Sequence, residues 1–131
     1  MRSAGPRGSA AVELALVLPL ALTAALALLQ VGLLAKDALL VEQAAREGAR
    51  EAAVSTDAAR VREAALRGGS FPEERTEIDI ERSGTLGDPV TVRVRYRSPL
   101  VVPFVERLFP AEVEVEADAT MRQETDGLEP S

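Results

Sequence analysis

The sequence predicts an α+β protein in which one long N-terminal helix crosses a membrane and continues into a small head. Three observations carry this. Leu14 to Ala35 hold no charged side chain, Lys36 to Val54 keep a helical period rich in small residues, and from Glu77 onward the apolar residues alternate with polar ones.

The uncharged run is interrupted only by Pro19, Thr23, Gln30 and Gly32, and as a helix it rises about 33 Å, enough to span a bilayer. A cleavable secretory signal competes with this, because Ala25 and Ala27 mimic its small-residue cleavage site. Signal cores are shorter, however, and the apolar run here continues through Leu28, Leu29, Val31, Leu33 and Leu34. Arg2 and Arg7 precede the run, whereas Lys36 is followed at once by Asp37. That asymmetry puts the N-terminus in the cytoplasm and the rest of the chain outside. Pro19 removes one backbone donor; it either kinks the span or sits harmlessly early in the helix.

Glu13 stands where the hydrocarbon should begin. An ionised side chain there costs at least about 2.5 kcal/mol, so an intramembrane acid usually has a partner and a task.

Beyond the span, Ala44, Gly48 and Ala52 recur every fourth residue, as do Ala45, Ala49 and Ala53, while Arg46, Glu47, Arg50 and Glu51 take other faces. Small residues at this spacing let a helix or sheet approach closely and mark a helix-packing face; a GC-rich codon bias toward alanine is the bland alternative. Nothing between Ser9 and Val54 stops a helix, so one helix of about 46 residues, near 70 Å, is expected. Ser55-Thr56-Asp57 ends it and supplies a new N-cap, and a second helix follows over 58–67, ended by Gly68-Gly69.

Strands are expected at about 76–82, 89–97 and 112–121, with a glycine-containing turn between the first two. Their outer faces are acidic, basic and acidic in chain order. A meander with the second strand central would set Arg93, Arg95 and Arg97 opposite carboxylates on both sides. Such ladders more often serve solubility and register than anion binding, so no ligand site is assigned there. Ile78, Ile80, Val90, Val92, Val94, Tyr96, Val113 and Val115 form the opposite face, which the two helices can cover. Pro99 to Pro110 is too apolar for an ordinary loop and is expected as a short helix that caps the sheet, meets a neighbouring subunit or dips into the membrane surface. The tail 123–131 is expected to be disordered. The domains are therefore a leader at 1–8, a membrane helix at 9–35, an extracytoplasmic head at 36–122 and the tail.

With no cysteine and no histidine, the chain lacks disulfides, thiolate nucleophiles, Ser-His-Asp triads and the usual zinc or haem ligands. No enzyme, cofactor, metal or small-molecule ligand is expected. Residues 36–131 carry 13 basic and 20 acidic side chains, which argues against a nucleic-acid partner.

Gly-Ser-Ala-Ala-Val-Glu-Leu-Ala-Leu-Val-Leu-Pro-Leu at 8–20, with Ala-Ala-Arg-Glu-Gly-Ala-Arg at 44–50, resembles the TadE-like family. These are minor pilins or pseudopilins of tight-adherence pili, the Flp-type or type IVc systems. The resemblance implies processing by a membrane prepilin peptidase after Gly8, so that Ser9 becomes the first residue of the mature chain and Glu13 its fifth. One helical turn separates Ser9 from Glu13, so the acid can neutralise the new amine, or that of an adjacent subunit, and act as an assembly contact. Tight-adherence pilins often carry tyrosine after this glutamate, where this chain has Leu14. The resemblance further implies a bacterial cell-membrane location, incorporation into a surface pilus or secretion filament, and other pilin subunits and the pilus assembly platform as partners. The alternative is an uncleaved, single-pass membrane-anchored module whose extracytoplasmic head binds an envelope partner.

Overall fold

The computed structural model describes residues 5–101 and 112–124. In chain order it contains α1 (Pro6–Val54), α2 (Ala58–Gly69), a 3-10 turn (Glu73–Arg75), β1 (Thr76–Arg82), β2 (Pro89–Pro99) and β3 (Glu112–Arg122). The chain is thus α+β, with a long apolar N-terminal helix, a short helix and one antiparallel sheet. Arg2, residues 102–110 of the segment 99–110 expected as a short helix, and residues 125–131 of the tail expected at 123–131 lie outside the described residues, while Pro99 ends β2.

Pro6 opens α1 at a position where its missing N–H and fixed φ suit a first turn, so the helix begins before Ser9 and extends to 49 residues. Pro19 lies inside it, and the hydroxyl of Thr23 one turn later donates to the Pro19 carbonyl at 2.8 Å. At the other end the Ser55 N–H returns to the Glu51 carbonyl, and the side chain of Asp57 accepts the Ala59 N–H at 2.9 Å to start α2. The α2 helix includes both glycines expected to end it, and Ser70 takes the left-handed conformation instead, at φ 54°. The reason is packing. A Cβ on Gly68 would stand 3.0 Å from Glu47 and 3.4 Å from the Ala44 backbone, so these glycines let α2 lie against α1 rather than stop it.

The sheet order is β1-β2-β3, antiparallel throughout. Register pairs Asp79 with Arg93, Glu77 with Arg95, Arg95 with Glu116 and Arg97 with Glu114, so the arginine strand lies between two acidic ones. Its inner face, Val90, Val92, Val94 and Tyr96, is buried against Val41, Ala44, Ala45, Ala49, Ala52 and Ala53 of α1 and Val61 and Ala65 of α2. Alanines on the helix face leave room for valines on the sheet, and that alternation lets helix and sheet close without a large cavity. Phe71 stacks on Tyr96 with ring centroids 4.2 Å apart and seals one side.

Two long-range ties set the helix against the sheet at its far end. Arg82 donates to the carbonyls of Ala52 at 2.9 Å and Ser55 at 2.7 Å, placing a cation at the C-terminus of α1, where the helix dipole favours it. The Glu124 N–H, just past β3, donates to the Ala53 carbonyl at 2.7 Å. Gly87, at φ 92° in the β1–β2 turn, adopts a backbone conformation that a side chain would strain.

Candidate functional site

One helix has two different surroundings. Its C-terminal half is the core of the head. Its most apolar stretch, long enough to cross a membrane, has none of its residues buried within the chain. Val12, Leu14, Leu16, Leu20, Leu22 and Leu28 are each more than half exposed, and together they lie on every side of the helix. A surface helix of a water-soluble protein has one apolar face; a helix apolar all round requires an apolar environment all round.

The sequence-derived site residues fall into both halves. Gly8, Ser9 and Glu13 lie at the start of α1. The Gly8 N–H donates to the Gly5 carbonyl at 2.8 Å, and Ser9 reaches the same carbonyl at 3.4 Å, so the Gly8–Ser9 bond belongs to the first turn of the helix. Helix ends fray most readily, so this bond is the part of α1 most easily drawn into an extended conformation. Ser9 and Glu13, both exposed, are one turn apart in continuous helix.

Ala44, Gly48 and Ala52 lie far from that end and face the head's own sheet and second helix. Gly48 is the tightest point. A Cβ built there would be 2.9 Å from Val92 Cγ1 and 3.1 Å from Ala65 Cβ, so the sheet and α2 meet α1 at this one residue. The stripe is filled from within the chain, by β2 and α2.

Three interactions had no counterpart in the sequence reading. The amide oxygen of Gln30, a residue only 7% exposed, accepts the backbone N–H of Val101 at 2.9 Å. The carboxylate of Asp37 accepts the hydroxyl of buried Ser98 at 2.5 Å, which carries β2 two residues beyond its expected end. Arg82 caps α1. In the sequence the only trace of the first is a lone amide in an apolar run.

The outer face of the sheet is an ion-pair ladder. Arg95 lies 3.2 Å from Asp79, 3.4 Å from Glu77 and 3.1 Å from Glu116, while Arg93 lies 3.2 Å from Glu116. The Arg95 guanidinium is held above its ordinary pKa, chiefly by its hydrogen bond to Glu116 and further by the charges of Asp79, Glu116 and Glu77, against a smaller opposing effect of burial. Its cation is therefore committed to neighbours within the sheet, and its remaining capacity for an external anion is small. Among the described residues, no group of carboxylates could hold a metal ion.

Residues 8–50 match the family model described as TadE-like protein. No curated protein and no solved structure matches the chain. The matched segment runs from the glycine of the candidate processing site, through Glu13 and the exposed apolar stretch, to Arg50, and so includes Ala44 and Gly48 of the helix-packing stripe. Over Gly8 to Arg50 the chain is therefore similar to the TadE-like family.

Proposed function

We propose that this protein is a minor pilin or pseudopilin-type structural subunit of a tight-adherence (Flp, type IVc) pilus or related secretion filament. It enters the bacterial membrane with its N-terminus in the cytoplasm, a prepilin peptidase cuts between Gly8 and Ser9, and the helix then packs among other subunits on the assembly platform. The observation that carries this reading is the exposed apolar stretch of α1, which belongs to the TadE-like segment and has no partner within the chain. Lipid satisfies it before assembly and neighbouring helices afterwards.

Glu13 supplies the docking contact in this scheme. Cutting at Gly8 creates an amine at Ser9, and the carboxylate one turn away pairs with that amine on an adjacent subunit. Pairing removes the cost of two separate charges in an apolar medium. No bond is made or broken after the cut, so the role is structural.

The experiment is Glu13→Ala in the native host, with membrane fractions and sheared filaments blotted separately. Normal membrane levels with at least about tenfold less subunit in the filaments are expected, equivalent to a lost contact of about 1.4 kcal/mol or more. Unchanged incorporation overturns the role of Glu13. A chain that accumulates uncut in the wild type favours the membrane-anchored module instead.

A further inference from the structure

The sequence places the end of the membrane span at Ala35, but the head already touches the helix at Gln30. Val101 donates to Gln30, Leu100 beside it is 9% exposed, and Ser98 reaches Asp37. The membrane-side end of the sheet is therefore packed along the last part of the apolar run. At that level the surface is apolar on both elements: Val31 on the helix and Val101 on the head are each 63% exposed. Glu112, the first residue of β3, pairs with Pro99 at this same end. The opposite end of the sheet lies beside Ala52 and Ser55, about 33 Å further along the helix.

We infer that the head seats on the outer leaflet through Val101, and that this lower edge, pinned by Gln30, acts as a depth stop for the helix. The inference rests on reading α1 as membrane-spanning. Its occupant is a lipid surface, because the exposed apolar patch at Val31 and Val101 is continuous with the exposed apolar surface of the span itself.

The depth stop has a geometric consequence. The helix rises about 32 Å from Ser9 to Gln30, close to the roughly 30 Å of a hydrocarbon core. With Gln30 at the outer boundary, the inner boundary falls near Ala10. Gly8 then lies just outside lipid on the cytoplasmic side, and Glu13 about 4.5 Å inside it. The head would thus set, from the far side of the membrane, the depth at which the proposed processing bond is presented.

The chain has no cysteine, so single labels can be placed without background. Full-length Val101→Cys, Leu22→Cys and Thr85→Cys, each carrying an environment-sensitive fluorophore, are reconstituted in phosphatidylcholine–phosphatidylglycerol vesicles. Lipids with a nitroxide quencher high or deep on the acyl chain are then compared. The expected result is strong quenching of the Val101 label by the shallow quencher, of the Leu22 label by the deep one, and of the Thr85 label by neither. A Leu22 label quenched as expected beside an unquenched Val101 label overturns the seating of the head but leaves the span intact. An unquenched Leu22 label overturns both.

Discussion

The backbone N–H of Val101 donates to the side-chain oxygen of Gln30 across 2.9 Å, joining residues 71 positions apart at the lower edge of the head. Gln30→Leu keeps the size and apolar character of the site but removes the acceptor, leaving a backbone donor at Val101 without its protein partner. The expected cost is about 1–3 kcal/mol, confined to this edge. Hydrogen exchange on the full chain in detergent should speed up at 100–101 and stay unchanged in the paired centre of β2. Equal exchange in both proteins would show that Gln30 holds nothing in place.

Gly48 tests the packing of helix on sheet. Alanine gains about 1 kcal/mol in helix propensity over glycine, but its methyl would meet Val92 at 2.9 Å and Ala65 at 3.1 Å. Both neighbours are fully buried, so relief requires backbone movement, and overpacking of this kind costs about 1–3 kcal/mol. Gly48→Ala should therefore lower stability on balance, and adding Val92→Ala should recover part of the loss as a coupling between the two sites. Tyr96, the single tyrosine in a chain without tryptophan, reports urea unfolding by its own fluorescence. A more stable Gly48→Ala protein would contradict this packing.

The ladder on the outer face should matter less than its appearance suggests. Arg95 is partly exposed, and water and salt screen surface pairs of this kind until they contribute little. Arg95→Met should lower stability only slightly at low salt and less as salt rises. The sign with pH follows from the raised pKa of the guanidinium. A cation whose folded pKa lies above its unfolded value stabilises the fold at every pH below the unfolded value, and that contribution is lost only as pH rises through the folded one. Between about pH 6 and pH 10 the difference in melting temperature between wild type and Arg95→Met should therefore not change through titration of Arg95. A difference that vanishes by pH 10 would contradict it.

Most of the architecture was legible because it is written in local periodicity. The period-two run from Val90 to Tyr96 and the acidic–basic–acidic order of the three strands specify both the inward face and the meander, and the register places arginine against carboxylate on both sides. The span was legible from the absence of charge between Leu14 and Ala35. Contacts between distant parts of the chain were not legible. Gln30 with Val101, Asp37 with Ser98 and Arg82 with Ala52 each join residues at least 30 apart, and no period in the sequence records which polar side chain meets which backbone group. Gly68-Gly69 misled for a related reason. Glycine is favoured both at a helix stop and where two helices approach closely, and only the position of Glu47 and Ala44 separates the two uses.

Gly8, Ser9 and Glu13 lie in one continuous helix, which fits the proposed role. The central claim is that the chain is cut at Gly8 to create the amine that Glu13 meets. Intact-mass and N-terminal peptide mass spectrometry on protein purified from the native host's membranes tests it most directly. A mature chain beginning at Ser9 is predicted, and a full-length chain still beginning at Met1 or Arg2 would contradict it.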